Sequence, residues 1–261
     1  MDLQTDRAHG ARIYDYLLGG KDHYAVDRAA ADASVRLWPG MRVHMREGRA
    51  FMHRVARHLA EQGVRQFLDI GTGIPTSPNL HEVVQAVVPD ARIVYVDNDP
   101  TVLAHARARM ASSPQGRTAY VHADVREPDA LLAAPQLRDT LDLSQPVALT
   151  LIAMMHFVVD DDEAHHVVGK LVGALAPGSH LAASIATDDF APTTLARVQH
   201  VYEAYGETLR WRTKAQAEGF FAGLDVLEPG LVQMHKWRPE PDAEPVVDAD
   251  IAMYGAVARK P

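Results

Sequence analysis

The stretch D-I-G-T-G-I-P-T-S-P-N (69–79) decides how this chain is read. It closes the apolar run RQFLDI (65–70), which reads as a buried strand. Gly71 and Gly73, with Thr72 between them, let the backbone turn tightly and approach a ligand without Cβ clashes. A glycine turn after a strand fits a nicotinamide-cofactor site, a nucleotide site or a plain structural turn. Several details separate them. A dinucleotide fingerprint wants a third glycine at position 76, where Thr76 stands, and Pro75 and Pro78 spoil the tight entry into a helix. Asp69 puts an anion two residues before Gly71, a poor neighbour for pyrophosphate. It suits S-adenosylmethionine (SAM), which has no phosphate and carries an ammonium and a sulfonium. No GxxxxGK[ST] motif occurs, so a P-loop is excluded.

Working outward, RIVYVD (92–97), TAYVHAD (118–124), VALTLIA (147–153) and HLAASIA (180–186) read as further buried strands of a mainly parallel sheet. Helical stretches are expected near 79–88, 100–111, 127–133 and 160–176, then around 191–205 and 213–222. Two late strand-like runs, LDVLEPGLV (224–232) and YGAVAR (254–259), complete the pattern. The expected fold is α/β: a doubly wound, mainly parallel seven-stranded sheet whose final strand is antiparallel. In such a sheet, ligands bind outside the carboxyl ends of the strands.

The second strand ends at Asp97, followed by Asn98, where a carboxylate can accept from both ribose hydroxyls of an adenosine. The third leads to Asp124, placed to accept from the adenine amino group, with Val125 packing on the ring. Acids at three successive strand ends beside a glycine turn point to a ligand site rather than to helix caps alone. The fourth leads to A-M-M-H-F-V-V-D-D (153–161). His156 is the candidate general base for a substrate proton, because an imidazole titrates near neutrality, and Phe157 is pocket wall. His165 and His166 point in different directions on a helix and are expected at the surface. No metal site is expected.

The first sixty or so residues read differently, as helices. ARIYDYLL (11–18) stops at Gly19-Gly20, AVDRAAADASVRLW (25–38) at Pro39-Gly40, and a third helix runs from Met41 to about Gln62. Gly48 inside it costs roughly 1 kcal/mol against alanine and suggests a kink or a close contact. The expected division is a helical cap over 1–62 and a SAM-binding domain over 63–261. RPEPDAEP (238–245) is expected as a surface loop.

Composition bounds the function. The chain has 261 residues, 47% hydrophobic and 23% charged, as in an ordinary globular protein. It has no cysteine, which excludes disulfides, thiolate-zinc sites and cysteine nucleophiles. No signal-peptide pattern or membrane-length apolar run occurs, so a cytoplasmic protein without membrane attachment is expected. The net charge of −8 argues against a nucleic-acid partner, and the run Arg42, Arg46, Arg49, Arg54 and Arg57 reads as a solvated helix face. A small-molecule acceptor is expected. The sequence leaves the oligomeric state open.

RIYDYLLGGKDHYAVDR (12–28), FLDIGTGIPT (67–76), VYVDNDPTVLAHARA (94–108), HFVVDD (156–161) and LEPGLV (227–232) resemble one family, down to YGAVARKP at the end. It is that of the actinobacterial SAM-dependent methyltransferases long classed as a domain of unknown function. The resemblance implies a class I methyltransferase fold with SAM held by the Asp69–Gly73 turn, Asp97 and the Asp124-Val125 pair. It further implies that the N-terminal helices cover the cofactor. There Gly19 and Gly20 allow close approach, Lys21 pairs with the methionine carboxylate, and Tyr14 and Tyr24 wall the transfer site. Two departures are His23 and Tyr24, where the family often has Asn and Phe, and Gly48, where it commonly has Asn. Beside methyl transfer stand two other readings, a SAM-binding protein without transferase activity and a nicotinamide-dependent oxidoreductase.

Overall fold

The structure, a computed structural model, describes residues 6–102 and 112–261. Three helices come first: α1 (Gly10–Leu17), α2 (Ala25–Leu37) and α3 (Met41–Glu61). An alternating part follows: β1 (Gln66–Ile70), α4 (Leu80–Val87), β2 (Arg92–Asp97), β3 (Arg117–His122), α5 (Pro128–Ala133), α6 (Pro135–Arg138), β4 (Ala148–Leu151), α7 (Asp161–Gly173) and β5 (His180–Ala186). The chain ends with α8 (Pro192–Ala204), α9 (Lys214–Gly219), β6 (Asp225–Val226), β7 (Val232–Gln233) and β8 (Met253–Arg259). The stretch expected as a helix over 100–111 lies mostly outside the described residues.

Local chemistry accounts for the helix starts that matter. Asn79 and Glu82 form a capping box at the head of α4, so the glycine turn passes into a helix with its first N–H groups satisfied. Asp160 accepts from the Glu163 N–H, and Asp161, Asp162 and Glu163 fill the first turn of α7, where the helix dipole favours acids.

The strands pair in the order β3-β2-β1-β4-β5-β8-β6. β1 pairs in parallel with both β2 and β4, so the winding reverses beside it. β8 is antiparallel to β5. LDVLEPGLV forms two short pieces instead of one strand. Asp225 and Val226 face Arg259 and Ala258, and Val232 and Gln233 face Gly255 and Tyr254. Pro229, which has no N–H to give a ladder, and Gly230 at φ +84° break the register between them. β6 and β7 are therefore two halves of one edge strand.

Alternate residues of each strand enter different cores, as a pleated sheet requires. Leu68, Val94, Val96, Leu149 and Leu181 pack with Val167, Val168 and Leu171 of α7. Phe67, Ile93, Tyr95 and Val257 pack on the other face with Phe51, Val55 and Leu59 of α3 and Val84 of α4. A third core joins Ile13, Leu17, Ala30 and Ala31 of the front helices to Leu195, Val198 and Tyr202 of α8. Among the described residues no helix is long and apolar enough to cross a membrane.

Candidate functional site

Where the winding reverses, a crevice opens at the carboxyl ends of the strands. It is a cavity of about 530 Å³, the size of a small-molecule site. The sequence order of its walls explains its chemistry.

β1 supplies the glycine turn. Gly71 and Gly73 adopt φ +77° and +67°. A Cβ on Gly71 would lie 2.4 Å from Met154 Cγ, whereas a Cβ on Gly73 would meet nothing within 4 Å. Glycine is needed at 71 for both conformation and close approach, and at 73 for conformation alone. β2 ends in Asp97, whose Oδ2 accepts from the Gly73 N–H at 2.9 Å and whose Oδ1 accepts from the Asp99 N–H at 2.9 Å. That carboxylate ties the turn to the second strand, and each oxygen keeps a lone pair for a ligand.

Asp69 accepts from the Thr150 hydroxyl of β4. Burial pushes its carboxyl up to about 6, against the lowering pull of the Thr150 hydrogen bond and the Arg49 charge. Asp97 is raised as well, by burial first, with the Asp99 and Gly73 N–H groups opposing. Two carboxyls held above their ordinary range on one cavity favour a ligand that brings positive charge or hydrogen-bond donors. Asp124 differs. Arg126 donates to it at 2.6 Å and holds it below the usual carboxylate range.

Every strand-end residue singled out in the sequence, from Asp69, Thr72 and Gly73 to Asp97, Asn98, Asp124 and Val125, lines this cavity. Tyr14, His156 and Phe157 line it too. Gly19, Gly20, Lys21, His23 and Tyr24 do not. The reason is local: the loop after α1 folds back onto Asp15. The Asp22 N–H donates to Asp15 Oδ2 at 2.8 Å, and a Cβ on Gly20 would lie 2.0 Å from Asp15 Oδ1. His23 bonds to the Gly20 carbonyl at 3.2 Å, and Tyr24 caps α2.

Among the described residues two arginines reach the cavity wall: Arg126, which is paired with Asp124, and Arg49 of α3, which donates to the carbonyls of Thr76 and Pro78 and so pins the loop beyond the glycine turn. Arg49 was hidden in the arginine run. The usable signal was its place on the helix face of Met41, Met45, Gly48 and Met52, all on the cavity wall. Gly48 makes no close contact: a Cβ there would sit 3.8 Å from Met234 Cε and the Tyr14 hydroxyl. Glu207 and Trp211, between α8 and α9, also line the cavity, and nothing in their local sequence announced it.

His156 lies in a short turn, Met155–Phe157, that Arg212 clamps. Its guanidinium, fully buried, donates to Met155 O at 2.8 Å and Val158 O at 2.7 Å and pairs with Asp161 at 3.0 Å. Burial, then the charges of His44 and Arg212, pulls the His156 ring down to about 3. The imidazole is neutral at physiological pH.

A sequence model of the S-adenosyl methyltransferase family matches residues 1–261. The chain belongs to that family. A DUF574 family protein from Streptomyces avermitilis is 57% identical, with a TM-score of 0.97 over 100% of both chains. A protein from Thermobifida fusca, proposed to be a methyltransferase, is 38% identical, with a TM-score of 0.90 over 99% of this chain and 97% of that one. An O-methyltransferase family protein from Burkholderia thailandensis shares the fold at 17% identity, with a TM-score of 0.52 over 80% of this chain and 55% of that one. No curated protein matches the chain. Membership of a methyltransferase family agrees with the strand order and with the acids and glycine turn at its switch point.

Proposed function

We propose that the protein transfers a methyl group from SAM to a small-molecule acceptor. One observation carries this reading: two buried carboxyls, Asp69 and Asp97, share a cavity with a glycine turn that one of them hydrogen-bonds. That donor set fits SAM, whose ammonium and ribose hydroxyls supply the positive charge and donors that raised carboxyls favour. Asp97 is assigned the ribose hydroxyls, Asp69 and the Gly71–Gly73 turn the ammonium end, and Asn98, Asp124 and Val125 the adenine. Arg49 replaces Lys21 as partner for the methionine carboxylate.

SAM, when bound, supplies a methyl carbon already activated by its sulfonium. The chain's own task is to align donor and acceptor and to keep water out. Residues 1–62 are proposed as the cap that does this, over a domain of 63–261. The first helix is tied to the rest of the chain at two points, Gly10 N–H to Glu207 at 3.2 Å and Arg12 to Asp99 at 3.3 Å, and its N-cap residue His9 donates its N–H to Asp27 of α2 at 3.0 Å. A small acceptor follows from a cavity of about 530 Å³ shared with the cofactor. The arginine run offers little to a nucleic acid, since Arg42 donates to Leu17 O, Arg54 to Met234 O and Arg57 to Glu240.

Calorimetric titration with SAM and S-adenosylhomocysteine (SAH), with NAD as control, tests the cofactor. Binding of the first two that is lost in Asp97→Ala is expected. Binding of NAD, or of neither sulfur compound, overturns the reading.

A further inference from the structure

One corner of the cavity is left over once the cofactor groups are assigned. It lies where Gly10, His156, Phe157 and Glu207 meet. Gly10 abuts Phe157, since a Cβ there would lie 2.5 Å from Phe157 Cζ, and its N–H donates to Glu207 Oε1. The His156 and Phe157 rings are 4.2 Å apart, and the Arg210 N–H holds the His156 carbonyl at 2.9 Å. All four residues line the cavity, with Trp38, Tyr202 and Trp211 as further aromatic wall.

The open polar atoms at this corner are of two kinds. His156 Nδ1 is shut off from solvent and has no hydrogen-bond partner among the described residues. A proton there would be a buried orphan N–H, which is rarer in proteins than an under-used acceptor. The single proton of the neutral ring therefore belongs on Nε2, the nitrogen left open to the cavity. Glu207 uses Oε1 for Gly10, and Oε2 makes no hydrogen bond among the described residues. The corner thus presents the His156 N–H as donor and a Glu207 carboxylate oxygen as acceptor beside an aromatic wall. That wall's own polar atoms include the Tyr202 hydroxyl, near enough to Glu207 to feel its charge, and the Trp211 indole N–H, which is closed off from solvent.

We propose that the acceptor is a small uncharged aromatic alcohol whose hydroxyl oxygen takes the His156 Nε2–H and whose hydroxyl proton faces Glu207. This rests on the methyltransferase reading. His156 then positions the oxygen, and Glu207 is the base. The O–H bond breaks and its proton goes to the Glu207 carboxylate, which becomes neutral. The oxygen's freed electron pair forms the bond to the methyl carbon, and the carbon–sulfur pair stays on sulfur. Burial raises Glu207 against the lowering effect of His9, the Gly10 N–H and Arg12, while Asp27 adds to the rise, which suits a proton acceptor. An anionic acceptor would face the Glu207 charge.

The test uses the whole protein saturated with SAH, titrated calorimetrically with 2-naphthol and 2-naphthoate. Naphthol should bind at least about tenfold more tightly than naphthoate, the size of a mismatched charge at a buried site. His156→Phe, which removes the donor, and Glu207→Gln, which still accepts from the Gly10 N–H, should each weaken naphthol by about fivefold or more. Both should leave SAH affinity within about twofold of wild type. Nitrogen NMR of ¹⁵N-histidine protein should show His156 protonated on Nε2, a readout that no folding defect mimics. Preference for naphthoate, naphthol affinity unchanged in both variants, or an Nδ1–H ring each overturns the proposal. If SAH binds and naphthol does not, the acceptor assignment falls alone. If naphthol binds in the predicted variant-dependent way but SAH does not, the cofactor reading falls and the corner stands.

Discussion

The two ends of the cavity are held together by different means. At the strand ends, Gly73 and Asp99 each donate a backbone N–H to Asp97 and the Gly71 N–H donates to Val96 O, within a span of chain that folds as one β-α-β unit. At the other end, Trp38, His44, Glu207 and Trp211 come from separate helices and loops and are brought together by the shared core of α1, α2 and α8 and by hydrogen bonds to residues distant in sequence. The first end is fixed by hydrogen bonds between residues close in sequence, and the second by packing and by bonds between residues far apart in sequence, such as Gly10 N–H to Glu207 and Trp38 Nε1–H to Ala249 O. Substitutions at the first should act on SAH binding and stability together, and at the second on acceptor binding with SAH affinity kept.

The largest effect is expected at Gly71. Gly71→Ala meets both a positive φ and the Met154 side chain, and should cost roughly 2–4 kcal/mol of stability and abolish SAH binding. Gly73→Ala meets only the positive φ and should cost about 1–2 kcal/mol. Urea unfolding of both variants checks the difference. Equal losses would mean that the Met154 contact does not constrain the turn.

Next comes the pair Arg49 and Lys21. Arg49→Met removes the donors to Thr76 O and Pro78 O and the cation nearest Asp69, and should weaken SAH about tenfold. Lys21→Ala should leave it unchanged, because that residue is off the cavity wall. The reverse result would return the carboxylate to the glycine loop and would mean that the front helices rearrange on binding.

Asp69 gives a pH signature. Its folded carboxyl sits at about 6, above the ordinary 3.8, so this group favours the ligand-free fold below pH 3.8 and that contribution is lost as pH rises through about 6. A cationic ligand favours the ionised form. SAH affinity should therefore rise as pH goes from about 5 to 7 and then level off, with the ligand-free protein changing in the opposite sense. Asp69→Asn should flatten both curves, as calorimetry and thermal unfolding across that range would show.

What could be read from the sequence divides along the same line. The acids at 69, 97 and 124 were legible because a strand end and its following turn are local, and the sheet order then places them together without further information. Lys21 lies off the cavity wall in this structure, where Asp15, six residues before it, draws the loop back, a loop effect that no local pattern announces. Arg49 looked like one arginine of five, since only the packing of α3 on the sheet shows which helix face looks into the cavity. Glu207 and Trp211 follow α8 in a stretch with no motif, and their role exists only in the tertiary arrangement.

The smallest predicted effect separates the two ends most cleanly. Gly48 is buried in the middle of α3, with room for a Cβ at ordinary contact distance. Alanine there should stabilise the helix by up to about 1 kcal/mol. A residue that forgoes that gain without a steric reason is keeping space open, and the space lies on the cavity wall beside Tyr14. Gly48→Ala should therefore raise the urea midpoint, leave SAH affinity unchanged and weaken 2-naphthol by about twofold, with Gly48→Asn weakening it further. If alanine destabilises α3, the glycine serves the backbone and not the pocket, and the acceptor end is less a product of side-chain packing than the comparison holds.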